Sequence, residues 1–306
     1  MLISTVAQIL EESDMNPFRH ILVAHDLTKR ADRALRRAIA LAETRTPVTV
    51  VLAVAEEKEA TGQRQSLELR LPHITGWNEL AEKNTVVRAG TPAEVVASEA
   101  HARKAGLIVI GMHGKRGLLD LVSRGTAASI VDGAALPVLL ALKGPPRPYK
   151  RLLVSADYEE SASAAISASK LWFPQAKISV LHAVDMRTGR RPASAGALAE
   201  LEAGRNRWLA DFIRRSLTSA KAGAPVFEAE HIVRRGIPAE VIREVAAETH
   251  ADLVMLGTKK PSRLRRWLMG STTRELLADP PTDLLVVPQL SAGAGGRTGA
   301  SRGSPR

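Results

Sequence analysis

The chain contains no cysteine in 306 residues. Disulfides, thiolate catalysis and cysteine-ligated metal centres are therefore excluded, and the absence fits a reducing cytoplasm. Aromatic residues make up only 3% against 45% hydrophobic. The interior must then be built from Val, Ile, Leu and Ala, which suits buried parallel strands under Ala-rich helices. No apolar run approaches the roughly 20 residues that cross a bilayer. The opening stretch MLISTVAQILEESDMNPFRH has no basic leader and meets acids at Glu11 and Glu12, so it does not read as a signal peptide. Gly270-Ser271 is not a nucleophile elbow, since no G-x-S-x-G surrounds it, and no P-loop GKS or GKT appears. His25, His113 and His182 fall at strand ends or in loops, without the spacing of a metal site.

What the chain does have is a net charge of +11. A basic balance favours anionic partners: nucleotides, nucleic acid or a membrane surface. The aromatic residues that a nucleic-acid platform interleaves with its basic ones are scarce. Basic residues spread over solvated helix faces account for most of the charge.

The chain also repeats itself. VVRAGTPAEVV (Val86–Val96) matches IVRRGIPAEVI (Ile232–Ile242), and AGLIVIGMHG (Ala105–Gly114) matches ADLVMLGTKK (Ala251–Lys260), both at an offset of 146. HILVAHD from His20 matches RLLVSAD from Arg151 at an offset of 131, so the second copy carries 15 extra residues near DMRTGRRPASAGALAE. The expected division is an N-terminal extension (1–17), a first domain (18–143), a proline-marked linker (144–149), a second domain (150–290) and a Gly/Ser/Arg-rich disordered tail (291–306).

Within each copy short apolar runs alternate with helical periodicity. HILVAHD, PVTVVLAVA, TVVRAG, LIVIG and PVLLAL read as strands. Residues 31–42 read as an amphipathic helix, and a second helix is expected near 66–83. TPAEVVASEAHARKA opens with Thr91 as N-cap and Pro92 at the first helical position. A last helix, TAASIVDGA, is expected to begin after Gly125. This alternation predicts an α/β, Rossmann-type chain of two tandem five-stranded parallel sheets flanked by helices. Ligands in such sheets sit beyond the carboxyl ends of the strands, where strand order reverses. Asp26 and Gly111 onward mark that place in the first copy, and Asp157 and Gly257 onward in the second.

A glycine after a buried strand admits close backbone approach. A later glycine followed by Ser or Thr can open a helix whose free N–H groups and dipole suit a phosphate. An Asp at the end of the first strand can accept hydrogen bonds from ribose hydroxyls. The segments ILVAHD, AGTPAEVV, LIVIGMHGKRGL…GT and PVLL resemble the universal stress protein family in its tandem form, over nearly the whole of both copies. The resemblance implies an adenine-nucleotide alpha-hydrolase-like fold. It also implies a G-x2-G-x9-G-[S/T] phosphate loop in ATP-binding members, Asp26 and Asp157 near ribose, and backbone contacts to adenine at Thr49 and Ile178. The loop positions that correspond are Gly111, Gly114, Gly125 and Thr126, then Gly257, Lys260, Gly270 and Ser271. Both copies depart from the motif. The first has ten residues before Gly125 in place of nine; the second has nine but carries Lys260 at the second glycine, with Pro261 next. Lys260 either blocks the phosphate or offers it an ammonium group.

The expectation is a cytoplasmic stress-response module that binds ATP (or AMP/ADP), with Mg2+ accompanying ATP, and performs at most slow hydrolysis. An unidentified protein partner would read the bound state. The last strands of the two copies would pair to make an intramolecular pseudo-dimer, with a homo-oligomer left open. The alternatives are a nucleotide-free protein-interaction scaffold and a basic nucleic-acid or membrane-surface binder.

Overall fold

The computed structural model describes residues 17–42, 46–112, 120–142, 144, 146–157, 160–185, 195–218, 229–258 and 270–289. The first copy runs β1 (Ile21–Ala24), α1 (Lys29–Leu41), β2 (Val48–Val54), α2 (Glu57–Arg70), β3 (Lys83–Ala89), α3 (Pro92–Ala102), β4 (Leu107–Gly111), α4 (Asp120–Gly133) and β5 (Val138–Ala141). The second runs β6 (Arg151–Ser155), α5 (Glu160–Trp172), β7 (Lys177–Val184), α6 (Ala195–Thr218), β8 (Glu230–Arg235), α7 (Pro238–Glu248), β9 (Leu253–Thr258), α8 (Ser271–Ala278) and β10 (Asp283–Pro288). Thr91 caps α3 as its sequence implies: its hydroxyl accepts from the Glu94 N–H, with Pro92 next.

The strand order is β3-β2-β1-β4-β5-β10-β9-β6-β7-β8. Each copy is a five-stranded parallel sheet, as expected. The last strands of the two copies pair, also as expected. β5 and β10 pair antiparallel, with Leu285 opposite Leu139, and fuse them into one ten-stranded sheet. Alternation carries the packing across this joint. Leu139, Ala141, Leu285 and Val287 enter the core on one face of the sheet, and Val138, Leu140, Leu284 and Val286 enter the core on the other. The outer edges, β3 and β8, carry Lys83, Arg88, Arg234 and Arg235, charges that discourage edge-to-edge pairing.

One buried carboxylate locks the joint. Asp283 is 0% exposed. Its Oδ1 accepts from the Leu142 N–H at 2.8 Å and its Oδ2 from the Tyr149 hydroxyl at 2.7 Å. Arg37 of α1 brings Nε to 3.1 Å of Oδ2, donates Nη1 to the Arg147 carbonyl at 2.6 Å and lies 4.3 Å over the Tyr149 ring. Burial and the neighbouring Asp283 push the Tyr149 phenol well above its ordinary value, so it remains a donor. At the offset of 146, Asp283 corresponds to Pro137 and Leu142 to Pro288. Proline has no N–H, so position 288 needs no acceptor at the opposite end of the joint.

Two expectations are corrected. The second helix begins at Glu57, not near 66, and gives way at Arg70 to a 3-10 turn containing Pro72. Only Ala60 and Leu67 of that helix are buried, so it had little apolar periodicity to show. The last helix of the first copy begins at Asp120, ahead of Gly125. The extra residues of the second copy lie between β7 and β8, where α6 has 24 residues against 14 in α2.

Removing one partner from a buried ion pair strands the other charge. Asp283→Ala is therefore expected to lower the unfolding free energy of the full chain by about 3–5 kcal/mol. Tyr149→Phe, which deletes one hydrogen bond, should cost about 1–2 kcal/mol. Urea unfolding checks both; near-equal effects would contradict this account of the joint.

Candidate functional site

Strand order reverses between β1 and β4 in the first copy and between β6 and β9 in the second. A cleft lies at each place. Because β5 and β10 are antiparallel, the carboxyl ends of the two sets of strands point in opposite directions, and the clefts open at opposite ends of the shared sheet. The first has a volume of about 290 Å³ and is lined by Asp26, Arg30, Gly111 and Thr126 over an apolar bed that includes Val51, Val96 and Ile130. The second, about 120 Å³, is lined by Asp157, Gly257, Thr272 and Thr273. Ser155 and Thr273 stand in it where the first has the smaller Ala24 and Ala127.

Asp26 follows β1, and Thr28 two residues later caps α1 by accepting from the Ala31 N–H. Between them Leu27 takes φ of 59°, which turns the chain so that Asp26 faces its own helix start. Asp26 Oδ1 accepts from the Thr28 N–H at 3.2 Å and from the Thr28 hydroxyl. Its Oδ2 takes a two-pronged contact from Arg30, at 3.0 Å from Nε and 2.6 Å from Nη2. Burial alone would raise this carboxyl; the Thr28 and Arg30 hydrogen bonds outweigh it and hold it below its ordinary value. Sequence reasoning placed Asp26 correctly in the cleft and missed Arg30. The signal was available: an acid and an arginine four residues apart across a Thr N-cap can meet. In the second copy Ser161 occupies the position of Arg30.

The strand-end glycines have a structural duty. A Cβ on Gly111 would stand 2.3 Å from the Arg30 carbonyl oxygen, and one on Gly257 2.0 Å from that of Ser161. Both glycines let the first turn of a helix lie directly on the strand, so one close approach they permit is to the helix backbone. Gly125 and Thr126 do not open a helix, because α4 already runs through them. Their amides are thus not the free N–H groups of a helix start. Thr126 still lines the first cleft, and the side of Gly125 where a Cβ would stand is open space. In the second copy Gly270 is the N-cap of α8 and Ser271 its first residue, as expected. Gly114 and Lys260 lie outside the described residues.

Thr49 and Ile178 are not brought to either cleft. Thr49 pairs with Leu22 near the beginning of β2, is fully buried, and meets His20 Nε2 at 2.8 Å through its hydroxyl. Ile178 pairs with Leu152 near the beginning of β7. Both sit toward the amino ends of their strands, whereas Val51 and Ala53 of β2 and Ala183 of β7 reach the clefts.

Each copy also buries an imidazole beneath its aspartate. The His25 Nδ1 accepts from the Leu27 N–H at 3.0 Å, which places the ring proton on Nε2, 3.3 Å from Asp32 Oδ1. Asp32 in turn receives a fork from Arg70 of α2 at 2.7 and 2.6 Å. In the second copy His182 donates Nδ1–H to the Ala156 carbonyl at 2.9 Å and stands 3.2 Å from Arg205 of α6. Burial lowers both histidines below their ordinary value, and the rings are neutral. His182 has both nitrogens engaged, and His25 has its Nδ1 in service as an acceptor and its proton on a buried Nε2, so neither is placed to serve as a general base.

The comparisons with known proteins agree with this architecture. The model described as "Universal stress protein family" matches residues 17–141 and 148–288. A universal stress protein from Archaeoglobus fulgidus DSM 4304 superposes with a TM-score of 0.62 at 15% identity, over 89% of this chain and 98% of that one. A putative universal stress protein from Pseudomonas aeruginosa UCBPP-PA14 gives 0.58 at 18% identity, over 90% and 95%. Putative universal stress proteins of Staphylococcus aureus are 25% identical over 144 residues, covering 45% of this chain and 84% of theirs.

Two sets of measurements check the site. Gly111→Ala and Gly257→Ala should each destabilise the chain by about 2–3 kcal/mol through overpacking. Gly125→Ala should stabilise it by about 0.5–1 kcal/mol, because that glycine lies inside a helix with free space beside it. A loss of stability at Gly125 would place the helix start after it. The second check concerns pH. His20, His25 and His182 are all lowered, so the unfolded chain, with imidazoles near 6.5, binds more protons than the fold. Their contribution is complete above about 6.5 and is lost as pH falls through that value toward the folded ones. Asp26 and Asp32 are depressed, so their contribution is lost only as pH falls below about 4. Melting temperature should drop between about pH 7 and pH 5, and the drop should shrink in a His25→Asn, His182→Asn double variant, whose amides can make the Nδ1 contacts without titrating.

Proposed function

The chain belongs to the universal stress protein family, and from that premise and the geometry of its clefts we propose that it is an adenine-nucleotide-responsive regulatory module whose ligand sits in the cleft of the first copy. The observation that carries this reading is the contrast between the clefts. Only the first, at about 290 Å³, comes near the ~300 Å³ lower end of small-molecule sites. It brings together an acceptor for ribose hydroxyls in Asp26, a cation in Arg30, a hydroxyl in Thr126 and an apolar bed suited to a base. The second cleft, about 120 Å³ and lined by Ser155 and Thr273 where the first has alanines, fits the scaffold alternative, so the second copy serves this reading as a structural and interaction unit.

ATP, ADP and AMP are the ligands this donor set suits. The described residues contain no group of three or more His, Asp or Glu that would hold a metal. Mg2+ would therefore arrive with the phosphates of ATP. His25 is not placed to orient an attacking water, since its Nδ1 accepts from the Leu27 N–H and its Nε2 is buried, and turnover would be slow. The element that would report the ligand is α4. It lines the cleft through Thr126, Ala127 and Ile130 and packs on α8 of the second copy. A protein partner reading that helix pair in the cytoplasm completes the proposal. The basic-binder alternative is weakened by ion pairing: Arg88 meets Glu99 and Arg234 meets Glu248. No helix among the described residues is long and apolar enough to cross a membrane.

Calorimetry of the full chain with AMP, and with ATP and magnesium, is expected to show one nucleotide per chain. Transplanting the bulk of the second cleft into the first, as Ala24→Ser with Ala127→Thr, should weaken binding at least about tenfold, the loss of about 1.4 kcal/mol. The reverse exchange, Ser155→Ala with Thr273→Ala, should leave AMP binding as it was. Wild-type protein that takes up neither nucleotide at millimolar concentration would refute the reading.

A further inference from the structure

Arg30 is the one cation lining the first cleft among the described residues, and Asp26 is the one acid. They are paired with each other, Nε and Nη2 both on Oδ2, while Thr28 occupies Oδ1 from two directions. Every acceptor direction of the carboxylate that a ribose diol would use is therefore in service before a ligand arrives. Asp26 is not sealed away: its side chain is 44% exposed and that of Arg30 20%. The pair sits at the cleft surface, where an exposed ion pair contributes little net stability and exchanges partners readily.

We infer that Arg30 is a specificity latch: it holds Asp26 in the ligand-free protein and transfers to the phosphate of the incoming ligand, leaving Oδ2 to the ribose diol. The inference rests on the nucleotide reading above and deepens it by naming what the cleft selects. A ligand with a diol but no phosphate displaces Arg30 and gives the guanidinium no new anion. An anion with no diol draws Arg30 away and leaves Asp26 short of donors. A nucleoside phosphate satisfies both groups at once, and the forked geometry of guanidinium suits phosphate as well as it suits carboxylate. The first copy has particular use for such a cation. Its α4 passes straight through Gly125 and Thr126, so no helix start stands at that position to receive a phosphate. The second copy shows the reciprocal pattern, with a helix start at Ser271 and Ser161 where the first copy has Arg30.

The experiment compares adenosine and AMP on the full-length wild type and on Arg30→Ser, which installs the residue of the second copy and should fold. Arg30→Gln, which keeps the side-chain length and removes the charge, serves as the second variant. Wild-type protein should bind AMP at least about tenfold more tightly than adenosine, the scale of one charge-assisted hydrogen bond. In both variants adenosine should bind several-fold more tightly than it does to wild type, and the AMP-to-adenosine ratio should fall toward one. Binding of AMP by wild type, with adenosine affinity in the variants unchanged or weaker, would overturn the latch while leaving the nucleotide reading intact. Failure of both ligands on all three proteins would overturn both.

Discussion

The antiparallel pairing of β5 with β10 is the constraint from which the rest of the molecule follows. A parallel five-stranded sheet that ends in Val-Leu-Leu-Ala has an apolar edge open on both faces, and an edge of that kind invites association. Two copies in one chain satisfy it internally. The pairing makes both core layers continuous, from Leu139 to Leu285 on one face and from Leu140 to Leu284 on the other. It also sets the direction of everything attached. Strands that are parallel within each copy become opposed across the joint, which sends the two clefts to opposite ends and brings α4 against α8.

A joint built only of aliphatic side chains would specify its register weakly, since neighbouring registers bury similar surfaces. Asp283 supplies the missing specification. Its carboxylate has a partner in the Leu142 N–H, the Tyr149 hydroxyl and Arg37 only in the register observed. A slip would leave a buried charge unpaired. The lock is also one-sided, because the symmetry-related positions are Pro137 and Pro288. Arg37 too is particular to its copy, with Ala168 at the matching place in α5. A homodimer of single domains would carry such a lock at both ends or at neither; a tandem chain can keep one and spend the other end on prolines that need none.

Much of this was legible in the letters. The two offsets located the duplication and the inserted residues, and apolar runs between helical stretches identified the five strands of the first copy. Asp26, Gly111, Asp157 and Gly257 were placed at the switch points by the strand–helix alternation, and all four line the clefts. What was not legible depended on three-dimensional register. A glycine before a threonine looks like a helix start, yet α4 is already under way at Asp120. Thr49 and Ile178 lay in the right strands but toward the wrong ends, because a strand's identity does not say which of its residues reaches the carboxyl edge. Gly111 was read as room for a ligand, and the side where a Cβ would stand is taken by the backbone of α1. The buried histidines of the two copies stand at different sequence positions, 25 and 182, so comparing the copies by alignment could not pair them.

The divergence of the clefts has a common physical thread. Each copy keeps the strand-end aspartate, the glycine that seats the first helix, and a neutral imidazole beneath them tied toward an arginine of the second helix, Arg70 or Arg205. That framework concerns how α1 and α5 sit on the sheet, so it persists whether or not a ligand is present. What differs lies above it: Ala24 against Ser155, Ala127 against Thr273, Arg30 against Ser161, and a continuous α4 against a helix that starts at Ser271. Ala24, Ala127 and Arg30 line the first cleft, and Ser155 and Thr273 line the second, so substitution at these positions changes the ligand site. A duplicated chain can thus differentiate one cleft for a phosphorylated ligand and close the other down, while the joint and the helix seats hold both in a single fold.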